Sequence, residues 1–504
     1  MIKKLSLLAA LLAFTVSLTW AQTAPTISVT VYDRGTIPAA EGSYSANRWT
    51  AAMTEKSGVN VKWVPVPRWT SEQAYTLAIA SGEVPDLIVE YDRGIIGRLI
   101  DTGAFQPVDQ LIQKYSVEYK AYAAQHPELK PYFMQEGQQY AFGTGRTANQ
   151  QVNHAIQIRQ DWLDKLGLKM PTTDDELLAV GKAFKEKDPD GNGKADTYGF
   201  AFNAAFNQVW GWYQAFGGQW YLENGQLKLA ETSDRYGDGT AFMKKAYDAG
   251  LIDPEYFTDT TFARQKQAWV TGKAGMYLNS YTTGETKDLM KADANAKISY
   301  IGAVKTKYGN AGLLKENGPL RYILVSAKTK NPQAIFKFID WMLKEGDTYL
   351  SLGVEGVHYK MVGEIPTVID PAVNKVQKDY VVDYAIATDN PYDNNLELAK
   401  QAADPIAYQF TKMMQGYMVE GPKVAWRKDI PYAPTTESAA QVMAQFGPII
   451  KDLTTKAIVG GTTISVADTT AKLKAEWKRL GGENVEKEMM VWYNKNKSGF
   501  VGLK

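Results

Sequence analysis

The chain has 504 residues, with 56 basic and 55 acidic side chains, 13 tryptophans, 29 tyrosines and no cysteine. The balanced charge excludes the basic excess of a nucleic-acid-binding protein, and the lack of cysteine excludes a disulfide framework and a lipid-modified cysteine. A chain of this length exceeds what one hydrophobic core usually serves, which predicts two domains.

The first residues have the pattern of a secretory signal peptide. Lys3 and Lys4 precede an apolar run over 5–18, which ends in the small-residue pattern Thr19-Trp20-Ala21. This order predicts cleavage near Ala21, so that residues 1–21 form the signal peptide. No later stretch reaches the roughly 18 apolar residues that a membrane-spanning helix needs. We therefore expect an exported protein that is not embedded in a membrane and, with no lipobox, a periplasmic location, with free secretion as the alternative.

Strands and helices alternate through the next part of the chain. The residue patterns predict strands over 26–33, 59–64 and 85–90, and helices over 48–57 and 71–80. This alternation is typical of an α/β lobe with a largely parallel sheet, which binds ligands beyond the carboxyl ends of its strands. The residues just past the first and third strands are therefore ligand-binding candidates, with ordinary polar loop residues as the alternative: Asp33, Arg34, Tyr91 and Arg93.

The later part of the chain continues the alternation of predicted strands and helices. A strand near 140–143 is followed by Arg146, where we expect a crossover between lobes, and then by a helix over 157–166. Thr173 and Glu176 form the pattern of a capping box that begins a helix reaching about Lys185. Further strands are predicted over 298–304 and 321–326, a helix over 332–343, and a helix-rich part from 370 onward.

One loop has the spacing of a calcium site. Oxygen-bearing side chains stand at positions one, three, five and nine, glycine at six, and a residue that offers its carbonyl at seven: Asp188, Asp190, Asn192, Asp196, Gly193 and Lys194. Position twelve, where a bidentate glutamate is usual, is Gly199. The spacing predicts a structural Ca²⁺ site of moderate affinity within 188–199, with a metal-free turn as the alternative.

Several motifs together resemble family 1 extracellular solute-binding proteins, and within them the LipO-like and alginate-binding receptors. In chain order they are Pro85-Asp86, the stretch 158–168, the capping segment 171–176, the loop 188–196, the segment 272–276, Asn331-Pro332 and the segment 354–359. The likeness spans nearly the whole chain after the signal peptide.

The resemblance implies the α/β two-lobed periplasmic-binding-protein fold of type II, with interleaved lobes joined by hinge segments. The N-terminal lobe would take 22–145 plus about 300–346, and the C-terminal lobe 146–299 plus about 347–504. It also implies permease subunits of an ABC transporter as partners and a structural role for the calcium loop. In the family the residue after the last aspartate of that loop is often acidic, and here it is Thr197.

A sugar offers apolar faces and a rim of hydroxyls, so its receptor needs flat rings and planar polar groups. The densest aromatic cluster gives the best stacking candidates, with core aromatics as the alternative: Trp210, Trp212, Tyr213 and Trp220. Further ligand-binding candidates, which as an alternative are structural residues, are Arg146, Tyr281, Arg321, Tyr322, His358, Tyr359, Trp426 and Arg427. Because arginine grips carboxylates bidentately, an acidic sugar is among the ligands considered.

The sequence therefore predicts a monomeric substrate-binding protein of an ABC importer that closes on an oligosaccharide by a hinge motion. The chain has three histidines and lacks HExxH and GxSxG patterns, which argues against an enzyme. A secreted polysaccharide-degrading enzyme and a receptor for another solute, such as a peptide, are the alternatives. A calcium-binding surface module is disfavoured because it would usually show repeats.

Overall fold

The computed structural model describes residues 24–146, 154–203, 208–259, 261–280, 284–311, 316, 318–389, 394–424, 429–430, 433–434 and 436–497. The predicted signal peptide lies outside these residues. Within them, the strands are β1 Thr26–Asp33, β2 Asn60–Pro67, β3 Leu87–Glu90, β4 Met134–Gln135, β5 Gln138–Gln139, β6 Ala141–Phe142, β7 His154–Arg159, β8 Tyr198–Ala201, β9 Trp220–Glu223, β10 Gln226–Leu229, β11 Ala274–Ser280, β12 Ile298–Ile301, β13 Val304–Thr306, β14 Gly309–Ala311, β15 Tyr322–Val325, β16 Tyr359–Val362 and β17 Ile365–Val368.

The helices in the described part of the chain are α1 Arg48–Ser57, α2 Ser71–Ser81, α3 Arg93–Asp101, α4 Asp109–Tyr115, α5 Glu118–Gln125, α6 Lys130–Phe133, α7 Gln160–Leu166, α8 Asp174–Glu186, α9 Gln208–Trp212, α10 Asp234–Asp248, α11 Ala263–Val270, α12 Glu285–Ala292, α13 Pro332–Trp341, α14 Asp347–Leu352, α15 Pro371–Gln377, α16 Asn394–Lys400, α17 Pro405–Val424, α18 Glu437–Val459, α19 Val466–Arg479 and α20 Gly482–Asn496.

The first lobe is built on a five-stranded sheet with the order β2-β1-β3-β15-β6. β1 pairs in parallel with β2 and β3, whereas β15 is antiparallel to β3 and β6. The β-branched side chains of Ile27, Val29 and Val31 on β1 are buried in the first hydrophobic core. The three parallel strands therefore end at the same edge of the sheet.

The second lobe is built on a four-stranded sheet with the order β12-β7-β11-β8, in which β11 is parallel to β8 and antiparallel to β7. Its hydrophobic core takes side chains from α8, α10, α18 and α19, including Phe184, Phe242 and Leu473. The predicted capping box is confirmed, because the Thr173 hydroxyl accepts a hydrogen bond from the backbone nitrogen of Glu176 and the Glu176 carboxylate accepts one from the backbone nitrogen of Thr173.

Within the described residues, the chain passes from one hydrophobic core to the other three times. Members of the first core fall in 27–142, 322–350 and 380–387, and members of the second in 156–304 and 430–489. The first two crossings run side by side, since the backbone nitrogen of Arg146 donates to the carbonyl of Gly318 at 2.8 Å. Compared with the boundaries expected from the sequence, the first core extends beyond 346 to Ala387. This happens because the segment that follows α14 folds back and packs on the first lobe.

One predicted helix begins later than expected. The pattern over 157–166 predicts a helix from Gln157, but residues 157–159 belong to β7 and the helix α7 begins at Gln160. Ile158 lies opposite Met276 on one side and Ser299 on the other, so β7 is bonded on both sides. The two sheet ladders satisfy its backbone groups and override the helical periodicity.

Two glycines let α8 lie directly on β8, and this contact gives a stability prediction. A Cβ atom on Gly199 would stand 2.7 Å from the Cα of Gly181. Gly199→Ala is therefore expected to lower the free energy of unfolding by about 1–3 kcal/mol, measured by urea unfolding. The control is Gly416→Ala on α17, where a Cβ would meet nothing within 4 Å. Equal stability of Gly199→Ala and wild type would contradict this close packing.

Candidate ligand-binding cleft

The residues that follow the parallel strands of the first lobe gather at one corner. Tyr32 on β1 stacks on Tyr91 after β3, with ring centroids 5.5 Å apart and an interplanar angle of 11°. Arg68, directly after β2, places its guanidinium carbon 4.7 Å from the Tyr32 ring centroid and 5.0 Å from that of Tyr91. Burial raises the pKa of the Tyr32 hydroxyl, and Tyr75 and Glu90 raise it further, so this ring stays neutral. The corner thus holds a cation against two aromatic faces.

Two more guanidinium groups meet the segment around Asp383. Arg34 donates through Nε to both carboxylate oxygens of Asp383 at 3.0 Å. Burial lowers the pKa of Arg34, but Asp383 outweighs this effect and the pKa lies above its ordinary value. Arg321 donates to the Tyr91 hydroxyl at 3.0 Å and to the carbonyls of Val382 and Asp383 at 2.9 and 3.1 Å. These bonds join the residue after β1 and the residue before β15 to the segment around Asp383.

Trp69 forms an open aromatic surface next to this corner, and 74% of the residue is exposed. Its ring centroid lies 6.1 Å from that of Phe262, which precedes α11 in the second lobe. Phe262 has a φ of +64°, a left-handed backbone conformation that is strained for an aromatic residue. The two rings therefore meet between the lobes, one from each lobe.

The structure brings together three of the residues predicted from the sequence, namely Arg34, Tyr91 and Arg321. Asp33 is exposed at the end of β1 and accepts a hydrogen bond from the backbone nitrogen of Gly35 at 2.8 Å. Asp33 therefore supports the turn after β1. Three other candidates lie outside the described residues: Tyr281, Trp426 and Arg427.

Arg93 and Tyr322 lie at the same edge of the sheet but are turned inward. Arg93 is buried and donates to the carbonyls of Tyr132 and Met134 at 3.0 and 2.9 Å. Tyr322 is fully buried and packs edge-on against Phe133, with centroids 5.8 Å apart. Both side chains support the first lobe.

The candidates that remain, one at a crossing and two after α14, have contacts with other residues of the protein. Arg146 lies at a crossing, 3.6 Å from the carboxylate of Glu316. His358 is buried, and its Nδ1 accepts a hydrogen bond from the backbone nitrogen of Val354 at 2.9 Å. Burial lowers the pKa of His358, with smaller contributions from nearby cations. Tyr359 begins β16 and is half-buried.

The aromatic cluster of the second lobe belongs to the core. Less than 9% of each of these residues is exposed: Trp210, Trp212, Tyr213 and Trp220. The Nε1 atom of Trp210 donates to the carbonyl of Tyr236 at 3.1 Å, and the two rings stack. The Tyr213 hydroxyl donates to Asp174 at 2.8 Å. The ring faces of this cluster are therefore occupied by protein.

Sequence reasoning missed Arg68, Trp69 and Phe262. The first two follow a strand of the same parallel sheet, so the rule that selected Arg34 and Tyr91 applies to them as well. The sequence pattern predicts that the second strand ends at Val64, whereas β2 continues to Pro67, so Arg68 and Trp69 do not appear as strand-end residues in the sequence.

The predicted calcium loop is held by contacts among its own residues. Asp188 accepts hydrogen bonds from the backbone nitrogens of Asn192 and Gly193 at 3.0 and 2.9 Å. The Nδ2 atom of Asn192 donates to the carboxylates of Asp190 and Asp196 at 2.8 and 3.0 Å. The loop is thus closed without a further ligand.

A lysine from the neighbouring strand segment supplies the positive charge. The Nζ atom of Lys273 lies 2.7 Å from the carboxylate of Asp196 and 3.5 Å from that of Asp190. The hydrogen bond to Asp196 raises the pKa of Lys273, so the ammonium form is stabilised. Among the described residues, no group of three His, Cys, Asp or Glu side chains is arranged to hold a metal.

The two positions that would complete a calcium shell are closed. The Thr197 hydroxyl is buried and donates to the carbonyl of Phe184 at 2.6 Å. Gly199, at position twelve, packs on Gly181 and leaves no room for a glutamate side chain. In this structure two of the three carboxylates of the loop, those of Asp190 and Asp196, lie against the Lys273 ammonium instead of being open to a calcium ion.

A separate groove of 440 Å³ on the second lobe is lined mainly by charged residues. Lys228 and Glu486 pair there at 2.5 Å. Trp477, which also lines the groove, is buried and donates through Nε1 to Glu486 at 3.0 Å. The Trp477 ring is therefore part of the core and does not offer a stacking surface in this groove. We place the candidate site between the lobes.

Two α/β lobes, each with its own core, a chain that crosses between them, and aromatic and guanidinium groups gathered at the strand ends define a two-lobed solute-binding protein of type II. The family model for bacterial extracellular solute-binding proteins matches residues 40–349. The chain belongs to this family. A search of the described helices finds none that is long and apolar enough to cross a membrane.

Two curated relatives match most of the chain. Lipoprotein LipO of Bacillus subtilis is 28% identical over 470 residues, which cover 88% of either chain. The polygalacturonan/rhamnogalacturonan-binding protein YtcQ of the same organism is 27% identical over 449 residues, covering 85% of this chain and 84% of YtcQ. Both resemblances extend over the two lobes.

A solved structure confirms the fold. The Streptococcus pneumoniae ABC-transporter substrate-binding protein FusA in complex with kestose is 20% identical, with a TM-score of 0.71. The alignment covers 94% of this chain and 100% of FusA. Another FusA structure is of an EF-hand mutant in complex with fructo-nystose.

Proposed function

We propose that this protein binds an oligosaccharide in the cleft between its lobes and presents it to the permease subunits of an ABC importer. The observation that carries the proposal is the exposed ring of Trp69, which meets Phe262 of the other lobe. A flat ring stacks on the apolar face of a sugar, while the neighbouring guanidinium groups suit its oxygen atoms. The cleft thus combines the two kinds of contact that a sugar needs.

The relatives support this proposal through their own ligands. YtcQ is named for two polysaccharides, and FusA is a fructooligosaccharide-binding protein of an ABC transporter. All three curated relatives are named as lipoproteins or binding proteins. The proposed role is accordingly transport without catalysis, by a monomer that is exported to the periplasm and loses its signal peptide near Ala21.

The proposal is tested by a thermal-shift screen of neutral and acidic oligosaccharides with the purified full chain. A ligand that binds only the folded state stabilises it by about 2.7 kcal/mol at a hundredfold excess over Kd, so a bound sugar raises the Tm by several degrees. Peptides of similar size serve as the comparison. Shifts with peptides alone, or release of shorter sugars from a polysaccharide, would instead support a peptide receptor or an enzyme.

The loop at 188–196 gives a separate prediction, which is independence of calcium. Chelation of calcium is expected to change the Tm of the wild type by less than about 1 °C, because Lys273 neutralises the loop. Lys273→Gln is expected to lower the Tm by about 1–3 °C and to make it rise again on addition of calcium chloride. Lys182→Gln, which removes an exposed helical ion pair with Glu186, is the control. A large loss of Tm when the wild type is chelated would show that an ion is needed.

A further inference from the structure

Arg68 differs from its neighbours in the cleft in how its donors are used. Its Nε is shielded from solvent, yet has no hydrogen-bond partner among the described residues. Arg34 donates to the carboxylate of Asp383, and Arg321 donates to Tyr91 and two carbonyls. This Nε is one of the five N–H donors of a guanidinium, and the guanidinium lies beside the exposed ring of Trp69.

The carboxylate in the same corner of the sheet already has its own donors. Glu90 is 1% exposed and accepts a hydrogen bond from the Ser71 hydroxyl at 2.8 Å. Its other oxygen accepts from the backbone nitrogens of Tyr91 and Asp92 at 2.6 and 3.1 Å. Glu90 is thus bound to the loop after β3 and to the start of α2.

The aromatic rings fix the guanidinium without using its N–H groups. Tyr32, Tyr91 and Trp69 lie 4.7, 5.0 and 5.2 Å from its central carbon. Contact with a ring face engages the cation's plane, whereas N–H donors point outward along its edge. A positive charge that is partly desolvated and lacks an acceptor is costly, and an anion that pairs with it removes that cost.

We infer that Arg68 binds the carboxylate of a uronic acid residue, so that the ligand is an anionic oligosaccharide. The planar fork of arginine matches a carboxylate bidentately, and the sugar ring that bears it stacks on Trp69. This inference rests on the proposed oligosaccharide-binding function and names the chemical class of its ligand.

The test compares each acidic sugar with its uncharged ester by isothermal titration calorimetry on the full chain. The probes are the trimers of galacturonate, mannuronate and glucuronate, each beside its methyl ester, and a neutral trimer of fructose. At least one free acid is expected to bind about 10- to 100-fold more tightly than its ester. Arg68→Gln is expected to abolish this preference, and Arg68→Lys, which keeps the charge but not the fork, to restore part of it. Raised salt should reduce the preference as well.

Arg98→Gln is the matched control, because it removes a cation of the first lobe that is paired with Glu72 on the helical surface. It is expected to retain the wild-type preference. Equal binding of acid and ester, or an unchanged preference in Arg68→Gln, would overturn the inference. Binding of the neutral trimer with no binding of any uronide would overturn it too and leave the proposed function standing. Failure of every sugar would overturn both.

Discussion

Trp69→Ala is expected to weaken oligosaccharide binding by about 10- to 100-fold, as measured by isothermal titration calorimetry. Loss of an aromatic platform at a binding hot spot typically costs about 1–3 kcal/mol, and each 1.4 kcal/mol corresponds to tenfold in Kd. Because 74% of Trp69 is exposed, the fold has little to lose, and the Tm should stay close to that of wild type.

The control for this variant is Leu77→Ala on α2, which also removes an exposed apolar side chain of the first lobe. It is expected to bind sugar as the wild type does. Trp69→Phe should retain most of the affinity, since it keeps a flat ring. Wild-type affinity in Trp69→Ala would mean that the sugar is held elsewhere.

Glu231→Gln is expected to stabilise the protein in mildly alkaline solution. Glu231 lies in the second lobe, 5% exposed, with one oxygen accepting a hydrogen bond from the backbone of Gly218 at 2.7 Å. Its other oxygen is buried and has no hydrogen-bond partner among the described residues. Burial raises the pKa of Glu231 to about 7, so the neutral form is favoured in the fold.

The sign of the pH effect follows from proton binding. Between its ordinary pKa of 4.5 and about 7, Glu231 holds a proton in the folded state more often than in the unfolded state. Its contribution to stability is therefore present at low pH and lost as pH rises through 7. The free energy of unfolding of Glu231→Gln relative to wild type should rise by up to about 3 kcal/mol between pH 5 and pH 8. Urea unfolding at both pH values measures this difference, and a constant difference would contradict a neutral Glu231.

Most of the fold could be predicted because local patterns and tertiary contacts agree in the first lobe. β1 was predicted at both ends, and α1 matches because Asn47 and Gly58 mark its limits with a cap and a left-handed turn. The end of β2 was not predictable from propensity, since Pro65 and Pro67 are typical of a chain leaving a sheet. They are tolerated because β2 is the edge strand, where the side that lacks a partner needs no N–H donor.

The site could be predicted only in part, and for a related reason. Arg34 and Tyr91 follow from the rule for strand ends, and Trp69 would have followed from it had β2 been given its full length. Trp210 and Trp212 were predicted to stack on a sugar because tryptophan suits that contact, but both rings fill the core of the second lobe. Phe262 carried no signal in the sequence, since its role depends on how the two lobes meet.

The central claim is that one ligand contacts both lobes at once, and hydrogen–deuterium exchange with and without the tightest sugar of the screen tests it most directly. We expect slower exchange in two separate places, the segment 68–71 of the first lobe and the segment 262–266 of the second. Protection confined to a single lobe, or found instead at the charged groove beside Trp477, would contradict a site between the lobes.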